Sequence, residues 1–544
     1  MESERYLSVD LANEREVFDA ALAELDSTRA VERMWARDPT LWKPDPKDDV
    51  ELSNRLGWLT LPDDFLSRVP EFEALARRAK EEGVRHVVLC GMGGSSLAPE
   101  VFRITFGSAQ GSPELIVLDS TDPTAVRMVD MTIDPERTLF LISSKSGGTI
   151  EVMACLAHFW QLTREKGDRF YAVTDPGTSL ERLAQERHFR GVFLNPTEIG
   201  GRYSALSYFG LVPAALGGID VRRLLEAAVK ERVLCGPDRP APSNSGAFLG
   251  AFMGGLARDR RDKLTLLTSP ALTSFGLWVE QLIAESTGKE GTGIVPVVGE
   301  PFGSPEVYFR DRSFVALRLE GDDNAALDRT VDALRGKHPI IVRQLRDRYE
   351  LGGEMFCWEV ATALAGALLH INPFDQPNVQ ESKDNTARVL QSRTTEVPDD
   401  VVLAPSDLGE FVSKLRERDF FAIHAYLTQT PEIEDRLQRL RKEVRDKHRV
   451  ATTLSFGPRF LHSTGQLHKG GPPTGVFLQL TYQPVDDVEI PGQPYTFRTL
   501  FAAEALGDLL SLHQRGLRVG RINLGPNPLA GLSTLSIQPS ALEI

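Results

Sequence analysis

The sequence is poor in features that mark whole classes of protein. It has four cysteines in 544 residues, none in a C-x-x-C pair: Cys90, Cys155, Cys235 and Cys357. This scarcity favours reduced core thiols over a disulfide framework. No apolar run is long enough to span a bilayer, and the first ten residues lack the apolar core of a signal peptide. We therefore expect a cytoplasmic protein.

Positive charge is also in short supply. Lys and Arg number 62 against 76 Asp and Glu, which gives a net charge of −14. Such a surface repels nucleic acids and anionic membranes, so we expect neither as a partner. A basic pocket has to be made locally, by helix ends and a few basic side chains. No histidine and carboxylate cluster has metal-ligand spacing, so we expect no metal and no cofactor.

What is present is an ordinary globular composition, with 41% hydrophobic and 25% charged residues. A chain of this length is too long for one core, so two or three domains are expected. Strand-like runs at 115–118, 139–142, 170–173 and 191–194 alternate with helical patterns. A second unit of this kind begins just after Lys263. Such alternation predicts parallel, doubly wound sheets with sites at the carboxyl ends of their strands.

The most informative stretch is 139–151, LFLISSKSGGTIE. An apolar strand leads into a Ser/Gly/Thr loop, and a helical pattern follows. Backbone N–H groups and a helix N-terminus hold phosphate in such loops. The GxxxxGK[ST] spacing of a nucleotide loop is missing, which favours a phosphate on a small molecule over ATP. An ordinary polar turn is the alternative. The candidate binding residues are Ser144, Lys145, Ser146, Gly148 and Thr149.

A second loop has the same design. Residues 87–96 read VVLCGMGGSS, and Ser96 stands where a dinucleotide fingerprint needs its third glycine. The candidate binding residues are Gly93, Gly94 and Ser95. Two loops of this type in one α/β unit suggest one anion held from two sides. Both resemble the loops with which sugar isomerase domains hold a sugar phosphate.

Two later motifs resemble those of glucose-6-phosphate isomerases. The run GGRYS at 200–204 is similar to the family's GGR[FY]S, which implies that Arg202 stabilises an enediolate; a surface charge is the alternative. The run ESTGK at 285–289 resembles the segment of the family's base, which implies that Glu285 moves the proton between C1 and C2. A carboxylate at a helix C-terminus opposes the helix dipole, which hints at function; a solvated helix-end glutamate is the alternative.

The run FDQPNVQESK at 374–383 resembles the family signature FDQxGVExxK, with Lys383 as the closing lysine and Gln376 within the motif. Two positions depart from it. Asn378 replaces glycine, and asparagine tolerates a positive φ. Gln380 replaces glutamate, which removes a charge near Lys383. Glu151 matches a family residue near the ring-opening site.

The segment LHSTGQ at 461–466 resembles the one that bears the family's catalytic histidine, yet here it follows both the glutamate and the lysine. His462 and His468 compete for the role, because in some members the histidine follows the Gly-Gln pair. The full string surrounds His462, which we prefer. Residues 354–369 and 495–510 also align without gaps, which suggests a partly duplicated second lobe. The chain most resembles the isomerase half of bacterial transaldolase–isomerase fusions.

The resemblance implies an α/β protein with two doubly wound parallel-sheet sugar isomerase domains. We expect an N-terminal helical arm (1–60), the two domains (61–245 and 246–395), and a C-terminal α/β extension (396–544) that completes the second lobe. The implied activity interconverts glucose 6-phosphate and fructose 6-phosphate through a cis-enediol. Alternatives are an isomerase that also accepts mannose 6-phosphate, and a non-catalytic sugar-phosphate-binding regulator. The small-molecule partner is a sugar phosphate, and the chain is a monomer or a homodimer.

Overall fold

The computed structural model of the protein describes residues 6–44, 49–392 and 396–537. Within these ranges the chain forms three separate β-sheets covered by helices. The predicted α/β class with parallel sheets is confirmed. The domain boundaries remain a prediction. No helix in the described ranges is long and apolar enough to cross a membrane. The four cysteines are buried and unpaired.

The N-terminal arm is mainly helical, as the sequence predicts. In helix α1, Phe18, Ala21, Leu22 and Leu25 are buried at the spacing of one helix face. In the described residues of the arm and of the segment that leads to the first sheet, the strand is β1 (Tyr6–Asp10) and the α-helices are α1 (Arg15–Ser27), α2 (Ala30–Trp35), α3 (Asp49–Ser53), α4 (Leu61–Leu66) and α5 (Val69–Glu81).

The first sheet has five parallel strands in the order β3-β2-β4-β5-β6. Its central strands β4 and β5 are buried along their whole length, because helices cover both faces. Its strands are β2 (His86–Gly91), β3 (Glu114–Leu118), β4 (Thr138–Ser143), β5 (Phe170–Thr174) and β6 (Gly191–Leu194). Its helices are α6 (Leu97–Phe106), α7 (Pro123–Thr132), α8 (Ile150–Leu162), α9 (Ser179–Glu186), α10 (Tyr208–Leu216) and α11 (Val221–Leu234).

The second sheet has the order β1-β10-β9-β7-β8. All its pairs are parallel except at the edge, where β1 runs antiparallel to β10 with Val9 opposite Ile341. The sequence predicts only helices in the arm, because five residues at an edge give too short a periodic signal. Its elements are α12 (Ser245–Arg258), β7 (Lys263–Thr268), α13 (Phe275–Thr287), β8 (Val295–Val297), β9 (Arg312–Leu319), α14 (Ala325–Leu334), β10 (Ile340–Leu345), α15 (Leu351–Leu368) and α16 (Val379–Ser392).

The third sheet is formed by the C-terminal extension and has four parallel strands in the order β12-β11-β13-β14. The extension packs against the second domain but keeps its strands in a sheet of its own. The N–H of Thr452 donates to Glu300 Oε1 across this contact at 3.0 Å. Its elements are α17 (Leu408–Ser413), β11 (Phe420–Tyr426), α18 (Pro431–His448), β12 (Ala451–Phe456), α19 (Gly465–Gly470), β13 (Gly475–Thr481), α20 (Phe497–Gln514), β14 (Arg518–Asn523) and α21 (Pro528–Leu532).

The two aligned segments of the predicted internal repeat are both helical. The first lies in α15, in which every residue is buried, as expected of a helix that is apolar on all sides. The second lies largely in α20, in which twelve residues are buried, among them Glu504 and Asp508. Helix α20 packs against α16 and the third sheet, so the extension reaches the segment that carries Lys383.

Candidate active site

The first Gly/Ser loop lies where four segments meet. Its turn Gly93–Ser95 follows β2, and Gly93 has a φ of +55°. A Cβ atom on Gly93 would lie 2.6 Å from the carbonyl oxygen of His462 and 3.0 Å from Gln281 Nε2. A Cβ atom on Gly94 would overlap the Gly201 carbonyl. These glycines therefore let three other segments of the chain approach the loop.

The second loop, between β4 and α8, opens into a cavity of about 230 Å³. Ser144 and Thr149 face each other, with 3.0 Å between their hydroxyl oxygens, and Thr149 directly precedes α8. Ser146 and Gly148 are exposed on the loop. The cavity is also lined by Glu151 at the start of α8 and by residues from three other segments: Lys383, His462 and Glu504. The loop predicted to bind phosphate is thus brought together with Lys383 and the preferred histidine.

Lys145 points elsewhere. Its ammonium group forms an ion pair with Asp175, which follows the neighbouring strand β5. Burial raises the pKa of the Asp175 carboxyl group, although Lys145 opposes that shift. Lys145 is therefore paired with a carboxylate of the chain itself and does not line the cavity with Ser146 and Thr149.

Glu285 and Arg202 form a second group of charged side chains in the candidate site. Glu285 lies in the last turn of α13, next to the predicted helix end at Gly288, and is 9% exposed. Its Oε2 atom lies 3.8 Å from Arg202 NH1 and accepts a hydrogen bond of 3.1 Å from Gln281 Nε2. The carboxylate is thus held beside a fixed cation at the edge of the site.

Arg202 is held by backbone and neutral groups. Its Nε donates to Ser286 Oγ at 2.7 Å, NH2 donates to the Pro373 carbonyl at 2.6 Å, and NH1 donates to Gln376 Oε1 at 3.0 Å. It is only 3% exposed. Neutral acceptors leave the positive charge uncompensated except by Glu285, which suits a cation that must meet a developing negative charge.

Sequence reasoning missed the role of Lys289, the lysine that closes the ESTGK motif. It is 1% exposed, and its Nζ donates to the Asn372 carbonyl at 2.7 Å and to Asp375 Oδ1 at 2.5 Å. Burial, and then the charge of Arg202, lower its pKa to about 8. Lys289 therefore ties the end of α13 to the 372–376 segment that also holds Arg202. The position of Lys289 at the end of the ESTGK motif was the sequence signal that could have identified it.

His462 meets a carboxylate of the first domain. Its Nε2 lies 2.6 Å from Glu151 Oε1, and Gln281 Nε2 donates to its carbonyl at 2.8 Å. Burial disfavours the charged form of Glu151, but His462 and then Lys383 outweigh it and hold the pKa of Glu151 below its usual range. Among the described residues His462 Nδ1 has no partner. Gln281 links this histidine to Glu285.

His468 occupies a different environment. It lies on α19 among the rings of the third sheet, 4.6 Å from the ring of His424 between centroids, and is 5% exposed. Phe420, Phe460 and Phe477 also contact it. Burial, helped by His424, lowers its pKa well below the usual range. Only His462, of the two candidates, lines the cavity with Glu151.

The 374–383 motif is placed beside the histidine segment. Lys383 is exposed on α16 and lines the cavity. Asn378 does not have the positive φ that its replacement of glycine suggested. Its N–H donates to Gln466 Oε1 at 2.8 Å, and its Oδ1 accepts from Gln466 Nε2 at 2.7 Å. The side chain of Gln380 lies outside the described residues.

Glu504 on α20 was also missed, because no motif surrounds it. It is 1% exposed, and its Oε2 accepts a hydrogen bond from the Thr121 hydroxyl. Burial, and then the neighbouring Glu151 carboxylate, raise the pKa of Glu504 well above its usual range. Its Oε1 has no hydrogen-bond partner among the described residues. A neutral Glu504 can therefore donate its proton in a hydrogen bond to the Glu151 carboxylate.

One group of potential metal ligands comes together in the described part of the chain, away from these residues. Glu231, Cys235 and Cys357 place ligand atoms within 4.8 Å of one another, all buried. Burial, and then Cys357, raise the pKa of Cys235 well above its usual range, which keeps it a neutral thiol and a poor ligand. The expectation of no metal remains a prediction.

Comparisons with known proteins agree with these motifs. A family model described as Phosphoglucose isomerase matches residues 62–295. The glucose-6-phosphate isomerase of Rubrobacter xylanophilus is 31% identical over 365 residues, which cover 57% of this chain and 83% of that protein. The enzyme of the same name from Campylobacter jejuni is 27% identical over 390 residues, covering 63% and 94%.

Solved structures agree on the fold. A hypothetical protein from Thermus thermophilus superimposes with a TM-score of 0.60 at 25% identity, covering 70% of this chain and 99% of that one. A glucose-6-phosphate isomerase from Chlamydia trachomatis gives a TM-score of 0.52 at 21% identity, covering 71% and 86%. Roughly the remaining third of this chain has no counterpart in these superpositions.

Proposed function

The chain belongs to the phosphoglucose isomerase family, and we propose that it interconverts glucose 6-phosphate and fructose 6-phosphate through a cis-enediol. One observation supports this proposal above the others. The described residues bring two acid–base centres, Glu285 beside Arg202 and His462 beside Glu151, to one site through Gln281. Sugar-phosphate binding alone needs neither centre.

We propose that the phosphate end of the substrate binds at the loop of Ser144, Ser146 and Thr149. Ser146, Thr149 and the N-terminus of α8 line the cavity there, and the Ser144 hydroxyl oxygen lies 3.0 Å from that of Thr149. An anion is favoured at a helix N-terminus by the exposed N–H groups and the helix dipole. Binding at this non-reacting end positions C1 and C2 of the sugar, so the binding free energy is used for orientation.

Ring opening requires a group that gives a proton to the ring oxygen while the anomeric hydroxyl loses one. We assign this to His462, whose Nε2 is held by Glu151 and whose Nδ1, without a partner among the described residues, can meet the sugar. Lys383 lines the same cavity and supplies a positive charge for this step. Glu504 acts as a positioning residue, because it lies against Glu151, the carboxylate that holds His462.

Proton transfer between C2 and C1 requires one carboxylate on one face of the open chain. We assign it to Glu285, which removes the proton at C2 of glucose 6-phosphate and returns it at C1. The enediolate oxygen that becomes negative is stabilised by Arg202, whose guanidinium is fixed before the substrate arrives. The segment that ends at Gln376 holds this guanidinium in place.

We also propose that one chain holds a complete active site. His462 comes from the C-terminal extension and reaches Glu151 within the same chain, so no second subunit is needed to deliver the histidine. An active monomer is then expected, and a homodimer would not share its sites. We further propose that the chain corresponds to the isomerase half of bacterial transaldolase–isomerase fusions, and that the protein is cytoplasmic, which its family membership supports.

A coupled assay tests the activity. Purified protein is given fructose 6-phosphate, and glucose 6-phosphate is followed through glucose-6-phosphate dehydrogenase and the reduction of NADP. Glu290→Gln is a matched control for Glu285→Gln, because Glu290 is exposed and pairs with Lys43 on the surface. We expect turnover in the wild type and the control. Absence of turnover in the wild type, with the chain folded and binding the substrate, would contradict the proposal and favour a regulator.

A further inference from the structure

A second cavity lies at the third sheet. It has a volume of about 430 Å³, and Tyr426, Thr481 and Arg521 line it from β11, β13 and β14. Tyr426 and Thr481 are the last residues of their strands. Parallel α/β sheets bind their ligands beyond the carboxyl ends of the strands, and cavities of this size hold small metabolites. Among the described residues, none lines both this cavity and the proposed catalytic cavity.

The charge of this cavity is one-sided. Two arginines line it, Arg498 at the start of α20 and Arg521 on β14, and no Asp or Glu is among the described residues that line it. In a chain with a net charge of −14, such a lining is a local exception. Two guanidinium groups on one cavity favour an anionic ligand that can accept several hydrogen bonds.

Arg521 has no counter-ion. Its guanidinium forms no ion pair and no hydrogen bond within the described ranges, and its NH1 is buried. Burial lowers its pKa, as expected for a cation that is removed from water without a partner. Arg518, three residues earlier on the same strand, instead forms a two-bond ion pair with Asp419 at 2.7 Å. The unpaired state is therefore particular to the residue that faces the cavity.

Two other donor atoms at the cavity also lack a hydrogen bond among the described residues, although Arg498 itself forms an ion pair with Asp487. Thr481 is 4% exposed, and its hydroxyl has no hydrogen-bond partner among the residues described. Arg498 Nε is buried without a hydrogen bond; it lies 3.7 Å from Asp487 Oδ2, while NH2 donates to the Val485 carbonyl at 3.1 Å. Buried donors of this kind cost free energy unless a ligand or solvent accepts from them.

We propose that this cavity is a second ligand site, which binds the phosphate group of a small phosphate ester between Arg498, Arg521 and Thr481. A phosphate offers the tetrahedral set of acceptor oxygens that two guanidinium groups and a hydroxyl require. The site is separate from the proposed catalytic one and does not depend on the isomerase activity.

Calorimetric titration with inorganic phosphate and with glycerol 3-phosphate tests the site. The wild type is expected to bind two equivalents, one at each site, and the ester is expected to bind the second site at least as tightly as free phosphate. Arg521→Met is expected to weaken binding at the second site about tenfold or more, because a charge-assisted hydrogen bond is lost. Its KM for fructose 6-phosphate, and competitive inhibition by phosphate, should not change.

Arg518→Met is the matched control and should keep both equivalents. Thr481→Val removes only a hydroxyl, so it tests the site if Arg521→Met does not fold, and we expect it to weaken the same equivalent. Phosphate binding whose stoichiometry and affinity are unchanged in both cavity variants would overturn the proposal. A second site that takes free phosphate and excludes the ester would also overturn it.

Discussion

Replacing Glu504 by glutamine tests whether this buried carboxyl group is neutral in the native protein. The side chain is 1% exposed and lies against the Glu151 carboxyl group, and both burial and that neighbour raise its pKa. In the unfolded chain a glutamate titrates at about pH 4.3. Between that pH and its native pKa, the folded protein keeps a proton that the unfolded chain has released. Stability from this group is therefore present at low pH and is lost as the pH rises.

The size of the expected change in stability follows from the linkage between proton binding and folding. Over that interval the free energy of unfolding falls by about 1.4 kcal/mol for each pH unit. A glutamine carries no titrating proton, so Glu504→Gln lacks this loss. From pH 5 to pH 7 the stability of the variant relative to the wild type should rise by up to about 2.7 kcal/mol. Urea unfolding of both proteins at pH 5, 6 and 7, followed by the same optical probe, measures the difference.

Turnover separates a positioning role from a packing role. The amide of Glu504→Gln still offers an N–H to Glu151, so His462 should stay in place and activity should persist. Glu504→Met is also neutral but has no donor, and a lost hydrogen bond to a charged group is worth about 1.5–3 kcal/mol. Its activity should fall, most strongly at acidic pH, because Glu151 becomes easier to protonate. If the free energies of unfolding of the wild type and of Glu504→Gln change in parallel with pH, the assignment of a neutral Glu504 is refuted. Equal turnover in the two variants would refute the positioning role.

Three further predictions concern the proposed chemistry. Glu285→Gln should lower turnover by about 10²–10⁴ while leaving sugar-phosphate binding nearly intact, and more than about a tenth of wild-type turnover would contradict its role as the base. Arg202→Ala should lower kcat more than it raises KM, because its charge is needed mainly in the transition state; a pure KM effect would argue for ground-state binding. Ser144→Ala and Thr149→Ala should weaken competitive inhibition by inorganic phosphate, and unchanged inhibition in both would place the anion site elsewhere.

Much of the fold could be predicted from the sequence because the signals were local. Each strand of the first sheet is a short apolar run between helical patterns, and the strand Gly191–Leu194 was predicted with its observed bounds. The edge strand β1 was missed, since its partner β10 lies more than 300 residues away and only the pairing makes it a strand. The separate sheet of the extension also depends on long-range pairing, which local patterns do not contain.

In the candidate site, too, the sequence predicted the residues that local motifs mark and missed those whose role depends on long-range contacts. Arg202, Glu285 and His462 stand in motifs, so the sequence predicted them as candidates. Their mutual geometry depends on Gln281, which no motif marks and which contacts both Glu285 and the His462 carbonyl. Glu504 could not be predicted from the sequence for a similar reason. Its chemistry arises from burial beside a second carboxyl group that lies 353 positions earlier in the chain.

The central claim is that one chain builds the whole active site, with Glu285 from the second domain and His462 from the extension. Mixing two inactive proteins tests it most directly. Glu285→Gln protein and His462→Ala protein are combined, partly unfolded and refolded together, and isomerase turnover is measured against each variant refolded alone and against refolded wild type. We predict that the mixture stays as inactive as its parts, while the wild type recovers. Turnover in the mixture well above that of either variant would show that subunits share sites and would contradict the account.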